Sequence, residues 1–170
     1  MIILTAMQQE YEIARKLFGT DYEIRRIGVG PRNAIRAAKR LLDERVPCNT
    51  EVMLFGFAGS NNLPLGTFVY ASDSAMHCPL AKYEDPFEQM MPLARPSLPN
   101  APTLGVPCFT SADFVTETRV CSPAIFDMEL GFMAELWPSI TAWRIVSDNL
   151  DGDEFKEFLA QDLLTMFDKK

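Results

Sequence analysis

Three features of the sequence predict an α/β fold. Short apolar runs of strand length, as at residues 2–6 and 51–55, alternate with longer stretches whose apolar residues recur at helical spacing. Apolar runs of this kind are typical of strands buried on both faces of a parallel sheet. The chain has 170 residues, of which 48% are hydrophobic, so it can bury one core of ordinary size. We therefore expect a single domain over residues 1–170.

The first half of the chain shows the alternation most clearly. Predicted strands cover residues 2–6, 22–27, 51–55 and 65–73, and predicted helices cover residues 7–18 and 33–45. The second helix is strongly amphipathic, because Ile35, Ala38 and Leu41 fall on one face. A Gly-x-Gly-Pro turn at residues 28–31 precedes it and places backbone amides at the positive end of the helix dipole. This turn is a candidate site for an anion or a hydroxyl group.

The second half begins with a change of composition. Seven of the twelve prolines lie between residues 79 and 107, which predicts an irregular segment packed on the domain or on a partner. Predicted strands follow at residues 103–106, 108–110 and 141–148, and predicted helices at residues 124–136 and 153–167. Phe87, Met90 and Met91 give the proline-rich segment apolar surface that a monomer rarely leaves exposed, so we expect a homodimer.

Charge and cysteine usage exclude several classes of function. A net charge of −7 argues against a nucleic acid or an anionic membrane surface as partner, since both require clustered Lys and Arg. The four cysteines are widely spaced and the chain has one histidine, so we expect no metal site, no redox pair and no cofactor. The apolar start turns polar at Gln8, too early for a signal peptide, and free thiols suit a reducing compartment. We therefore expect a cytoplasmic protein.

Two acids follow predicted strands directly. Glu10 comes just after the first strand, and Asp148 ends the strand at residues 141–148. In α/β domains ligands bind at the carboxyl ends of the strands, where a carboxylate can act as an acid or a base. The alternative is structural: Glu10 would complement the dipole of the first helix, and Asp148 would cap the helix predicted at residues 153–167.

Two further segments are candidates for ligand binding. Small residues at positions 56–62 follow a buried strand and let a ligand approach the backbone, unless they form a simple turn. Asp127 and Glu129 lie at the start of the predicted helix 124–136. Burying carboxylates is costly without a partner, so a ligand with donor hydroxyl groups is indicated there, unless both acids face water.

Five segments in order along the chain resemble motifs of the purine nucleoside phosphorylase and uridine phosphorylase superfamily, and most of all those of the 5′-methylthioadenosine/S-adenosylhomocysteine nucleosidases. They are Ala6-Met7-Gln8-Gln9-Glu10, Gly56-Phe57-Ala58-Gly59, Ser111-Ala112-Asp113-Phe114-Val115, Phe126-Asp127-Met128-Glu129 and Arg144-Ile145-Val146-Ser147-Asp148. Phe57 stands where the family usually has serine. The resemblance implies a nucleoside phosphorylase-like, three-layer α/β sandwich with a mixed central sheet, and a small purine nucleoside as ligand.

The resemblance also implies a role for each matching residue. Asp148 would donate a proton toward N7 of the purine, and Glu10 would activate the attacking water. Glu129 would bind the ribose hydroxyls. The other implied substrate-binding residues surround the base and the sugar: Met7, Ala58, Gly59, Phe114, Val115, Asp127, Met128, Arg144 and Ser147.

The reaction expected from these roles is hydrolysis of an N-glycosidic bond to free purine and sugar. Two alternatives remain. A phosphorylase would use phosphate in place of the water prepared by Glu10, and it would need a group of arginines, of which only Arg32 and Arg144 are plausible members. A nucleoside-binding protein could have kept the fold and lost catalysis, although it would have no reason to keep Glu10, Glu129 and Asp148.

Overall fold

A computed structural model of the chain describes residues 1–77 and 90–167. The strands are β1 (Ile2–Thr5), β2 (Glu23–Arg26), β3 (Val52–Ser60), β4 (Phe68–Met76), β5 (Met91–Pro92), β6 (Gly105–Thr110), β7 (Ile125–Asp127) and β8 (Thr141–Asp148). The helices are α1 (Gln8–Phe18), α2 (Pro31–Asp43), α3 (Leu130–Ala134) and α4 (Gly152–Leu159), followed by a 3-10 helix at Leu163–Phe167. The α/β prediction is confirmed.

All eight strands belong to one mixed sheet, ordered β2-β1-β3-β7-β6-β4-β5, with β8 paired to both β3 and β4. β8 runs parallel to β3 and antiparallel to β4. Because β3 also pairs with β7, β7 with β6 and β6 with β4, five of these strands close into a ring. Within the ring β3 pairs with both β7 and β8, which end in Asp127 and Asp148.

Helices pack on both faces of the strands β1, β3 and β8. Successive residues of a strand point to opposite faces. Leu54 and Val146 belong to a core that includes the buried sides of α2 and α3, whereas Phe55 and Trp143 belong to a second core with residues of α1 and α4. Every residue of β3 and β8 is buried as a result.

The helix predicted over residues 124–136 is wrong in its first part. Residues Ile125–Asp127 form β7, and only Leu130–Ala134 is helical. Apolar side chains are so frequent in this stretch that their spacing fits a helix and a strand equally well. The strand forms because β7 pairs with β3 and β6. Asp127 therefore ends a strand and Glu129 precedes a short helix.

β3 is longer than predicted. The small residues that suggested a loop, positions 56–60, continue the strand to Ser60. They remain extended because they pair with β8 along most of their length, with a register shift after Ala58. Conversely, the helix predicted at residues 153–167 ends at Leu159.

The proline-rich segment is described only in part. Pro107 lies within β6, opposite a register shift in β4, which is where a sheet tolerates the missing N–H. Met90 and Met91 are partly buried against the protein's own cores, and Phe87 lies outside the described residues. The homodimer therefore stays a prediction. Within the described ranges, no helix has the length and apolar character needed to cross a lipid bilayer.

Candidate active site

Glu10 lies in the first turn of α1 with its carboxylate buried against β3. Oε2 accepts the backbone N–H groups of Ala6 and Met7 at 2.7 and 2.8 Å, and Oε1 accepts that of Phe57 at 2.8 Å. Gly56 makes room for this contact, because a Cβ there would lie 2.3 Å from Oε1. Glu10 thus serves the helix, as the structural alternative held, and also reaches across to β3, which helix capping does not require.

Asp148 ends β8 and is 1% exposed. Its carboxylate lies on Gly59, where a Cβ would be 2.7 Å from Oδ1. The hydroxyl of Ser147 is 2.7 Å from Oδ2 and 3.3 Å from the carbonyl oxygen of Ala58, and the N–H of Leu150 donates to Oδ1 at 3.0 Å. Asp148 is therefore held by a hydroxyl from β8 and a backbone N–H from the loop that follows β8, and it packs on Gly59 of β3.

Helix α4 has a different cap. The side chain of Asp151 accepts the N–H groups of Asp153 and Glu154 at 2.8 and 3.0 Å. The alternative that made Asp148 the cap of this helix is therefore wrong. Asp148 instead accepts the N–H of Leu150 in the loop between β8 and α4.

The two acids contact the same strand. Gly56 is the β3 partner of Arg144 and Gly59 is the partner of Asp148 in the β3·β8 ladder. Three residues of extended chain span roughly 10 Å, so the two carboxylates contact β3 at points roughly that far apart along the strand.

Arg144 is the largest fully buried side chain, and it lies in the middle of β8. Its Nη2 forms an ion pair with Oδ2 of Asp127 at the end of β7. Its Nε and Nη1 have no hydrogen-bond partner among the described residues. Burial opposes its charge, but the neighbouring carboxylates of Asp127, Glu129 and Glu10 more than offset this and raise the pKa of the guanidinium.

Glu129 is 5% exposed and lies between β7 and α3. Its Oε1 accepts the N–H of Gly30 at 2.8 Å, at the start of α2. The anion predicted at this turn is thus a carboxylate of the chain itself. Burial and repulsion by Asp127 raise the pKa of Glu129 to about 7, against the attraction of Arg144.

Burial also raises the pKa values of the other two acids. For Glu10 the N–H of Phe57 and the charge of Arg144 work in the opposite direction, and for Asp148 the hydroxyl of Ser147 does so. Buried carboxylates with raised pKa values, two of them (Glu10 and Glu129) acting on the buried Arg144, are an arrangement that a structural core rarely contains. Glu129 is therefore able to exchange a proton near neutral pH, and burial shifts the pKa values of Glu10 and Asp148 in the same direction.

The remaining predicted residues differ in their exposure and contacts. Phe114 is 39% exposed, and its ring centre is 5.9 Å from that of Phe155 on α4. Val115 and Leu150 pack on one small core beside β6 and β7. Met128 is partly buried between Asp127 and Glu129. Phe57, where the resembled family has serine, turns its ring toward Phe158 at a centre distance of 5.5 Å.

Sequence reasoning missed three contributors to this site. Thr110 donates to Asp127 and accepts the N–H of Gly131, and Phe155 faces Phe114. Thr110 carries no signal in the sequence, because its role follows from the pairing of β6 with β7. Gly56 was recognised only as part of a small-residue segment, although a glycine at that position is what admits the carboxylate of Glu10.

Several solved structures have the same fold as this chain. A 5′-methylthioadenosine/S-adenosyl homocysteine nucleosidase of Helicobacter pylori superposes with a TM-score of 0.75 at 18% identity, over 96% of this chain and 92% of that chain. The futalosine hydrolase of the same organism gives 0.75 at 17% identity, with the same coverage. The nucleosidase of Colwellia psychrerythraea in complex with adenine gives 0.72 at 20% identity, over 93% and 87%.

The chain has the fold of these nucleosidases. The resemblance stated from the five sequence motifs is confirmed at this level, because solved structures with this fold include 5′-methylthioadenosine/S-adenosylhomocysteine nucleosidases. No protein-family model and no curated protein matches the sequence.

Proposed function

We propose that the protein hydrolyses the N-glycosidic bond of a purine nucleoside of the methylthioadenosine/S-adenosylhomocysteine type, releasing free purine and sugar. One observation carries the proposal: Glu10 and Asp148, both buried and both with raised pKa values, contact glycines three residues apart in β3. Cleavage of such a bond passes through a positively charged sugar, so an acid must protonate the departing base and a base must prepare water. The similarity to solved nucleosidases supports the same reaction class.

Asp148 is the proposed acid. Its raised pKa keeps a larger protonated fraction near neutral pH than a free aspartate would have. The hydroxyl of Ser147 suits both states, since it can donate to the ionised carboxylate or turn to the carbonyl oxygen of Ala58 when Asp148 carries the proton. Asp148 would donate this proton to N7 of the purine as the glycosidic bond breaks.

Glu10 is the proposed base. Backbone N–H groups fix its carboxylate, so its orientation costs nothing at the moment of reaction. Arg144 lies close enough to act on its charge and has unpaired N–H groups at Nε and Nη1. These donors could hold the attacking water while Glu10 takes its proton.

Glu129 is the proposed ribose ligand. One of its oxygens is held by Gly30, and its other oxygen has no protein donor among the described residues. A ribose hydroxyl would supply the missing partner and would stabilise the ionised form. Phe114 would stack on the purine and the backbone at Val115 would read the edge of the base, with Met128 against the sugar; Met7, Ala58, Gly59 and Ser147 complete the proposed contacts.

Hydrolysis is favoured over phosphorolysis by the charges at the site. Arg144 is already paired with Asp127, and Arg32 is exposed on α2. A phosphate dianion would enter beside Glu10, Asp127 and Glu129, where like charges at short range are strongly unfavourable. The proposal extends to the organisation of the protein: a single domain over residues 1–170 built as a three-layer sandwich, a homodimer, and a cytoplasmic location.

The test is an assay for free base. The protein is incubated with methylthioadenosine, S-adenosylhomocysteine, adenosine, inosine and futalosine, each with and without phosphate. We expect purine release in the absence of phosphate, and product sugar without a phosphate group. Release that required phosphate would favour the phosphorylase, and tight binding without release would favour the nucleoside-binding protein.

A further inference from the structure

Asp127 is saturated with donors from the protein. Its Oδ1 accepts the hydroxyl of Thr110, and its Oδ2 accepts the N–H of Leu130 at 3.1 Å and the guanidinium of Arg144. Burial and the charge of Asp127 raise the pKa of the neighbouring thiol of Cys108. Few lone pairs remain for a ligand, so direct contact with substrate does not explain why this acid is buried.

The geometry at Arg144 supplies another explanation. Arginine has five N–H groups in a rigid planar fork, so fixing one nitrogen fixes the direction of the others. Asp127 holds Nη2, while Nε and Nη1 are buried without partners. Gly56, the β3 partner of Arg144, is the residue on which the carboxylate of Glu10 rests. The unpaired donors of Arg144 are thus next to the proposed base.

We infer that Asp127 is a positioning residue for the proposed hydrolysis: it anchors Arg144 through Nη2 and prevents the guanidinium from pairing with Glu10 and Glu129. The inference rests on the proposed function for its catalytic meaning, and on contacts alone for its structural part. An unanchored arginine would be drawn to the two remaining carboxylates, because a buried cation needs a counter-charge. Both acids would then be engaged and unavailable to water and ribose.

The titratable groups around Arg144 come from five parts of the fold. Glu10 belongs to α1, Cys108 to β6, Asp127 to β7, Glu129 to the segment before α3, and Arg144 to β8. Arg144 is the cation that acts on both glutamates. Asp127 has a second effect on Glu129, because its negative charge favours the protonated form of that carboxyl group.

The test compares two variants of the anchor. Asp127→Asn keeps the shape and removes the charge, so kcat should fall about a hundredfold, as expected for a misplaced group beside the reacting atoms, and KM should rise as well because Glu129 is drawn away from the ribose. The acid limb of the kcat/KM profile should move to lower pH, since Glu129 loses a repelling neighbour. Thr110→Val keeps the charge and loosens the carboxylate, so kcat should fall less and the acid limb should stay in place.

Thr141→Val is the matched control. Thr141 is likewise a buried threonine in the sheet, but its hydroxyl has no partner among the described residues and it lies at the far end of β8. This variant should keep the kcat and the pH profile of the parent. An Asp127→Asn variant with raised KM and unchanged kcat would make Asp127 a substrate contact, and a variant with lower stability alone would make it structural; either result overturns the inference.

A titration separates this inference from the proposed function. Carbon-13 NMR of labelled glutamate carboxyl groups, with the Glu129 signal assigned through Glu129→Gln, reports the pKa of Glu129 without any turnover. The midpoint should be lower in Asp127→Asn than in the parent. If the parent cleaves nucleosides but Asp127→Asn has the same Glu129 midpoint as the parent, the inference alone is refuted. If the parent cleaves no nucleoside but the Glu129 midpoint is lower in Asp127→Asn, the proposed function alone is refuted.

Discussion

At the scale of single residues, the neighbouring acids Asp148 and Asp151 show how environment divides labour. Both follow the apolar part of β8, yet Asp151 accepts two N–H groups at the start of α4 and Asp148 is buried against Gly59. The N–H groups lower the pKa of Asp151, whereas burial raises the pKa of Asp148. One is an ordinary helix cap, and the other is suited to hold and release a proton.

The pair supplies a prediction with its own control. Asp148→Asn keeps the shape and hydrogen bonding of the side chain but removes the acid, so purine release should fall by roughly a hundred- to ten-thousand-fold. Affinity for an uncleavable nucleoside analogue should change little, because the proton is transferred only in the transition state. Asp151→Asn should keep parental turnover, since asparagine caps helices as well as aspartate does. Equal turnover in parent and Asp148→Asn would remove Asp148 from the mechanism.

Single residues were predictable where strand ends are visible in the sequence. Glu10 and Asp148 stood out because each follows an apolar run, and the structure places both against β3. Asp127 was grouped with ligand-binding acids because a buried carboxylate needs donors. The structure instead supplies those donors from the nearby N–H of Leu130 and from the side chains of Thr110 and Arg144, which are distant in sequence and meet Asp127 only through strand pairing.

At the scale of elements, β3 is the strand that defines the site. Its two glycines leave space for two carboxylates, Glu10 over Gly56 and Asp148 over Gly59. A run of small residues after an apolar strand resembles a loop, and the sequence alone does not show that β8 pairs with it as far as Asp148. The same limitation applies to β7, whose three residues are extended because β3 and β6 flank them.

A single methyl group added at Gly56 should lower both turnover and stability. In Gly56→Ala the new Cβ would lie 2.3 Å from Oε1 of Glu10, so the carboxylate must leave its place beside the N–H of Phe57. Turnover should fall about a hundredfold, as for other displacements near the reacting atoms. Overpacking should cost about 1–3 kcal/mol in the free energy of unfolding.

Gly152→Ala is the control for this change. A Cβ at Gly152, in the first turn of α4, would meet no atom within 4 Å. Alanine also favours a helix over glycine by up to about 1 kcal/mol, so this variant should be as active as the parent and no less stable. Turnover and urea unfolding are measured for both variants. If Gly56→Ala turns over substrate as fast as the parent, catalysis does not require the carboxylate of Glu10 at its observed position.

At the scale of the whole molecule, closure of the sheet explains why the site carries so much buried charge. The ring formed by β3, β8, β4, β6 and β7 joins strands that are far apart in sequence. No local pattern indicates the pairing of β4 with β8, so the composition predicted an α/β fold without predicting the ring. Ring closure brings Asp127 against Arg144. Glu10, Glu129 and Asp148 are buried nearby in the fold, and the pKa of each is raised.

The buried acids make the free energy of unfolding depend on pH. Burial raises the pKa of Glu129 to about 7 from an ordinary value of 4.5, so the folded state binds this proton more tightly than the unfolded state does. Stability from the protonated group is therefore fully present below pH 4.5 and is lost as the pH rises toward 7. Glu10 and Asp148, whose pKa values are also raised, contribute with the same sign.

The free energy of unfolding should therefore decrease between about pH 4.5 and pH 7, by on the order of 3 kcal/mol from Glu129. In Glu129→Gln, which carries no ionisable group, this part of the decrease should disappear and the curve should become flatter. Glu157→Gln, at an exposed position of α4, should keep the parental slope. Urea unfolding of the three proteins at half-unit pH steps measures the slopes, and a Glu129→Gln curve parallel to that of the parent would mean that Glu129 is not the group that binds the extra proton.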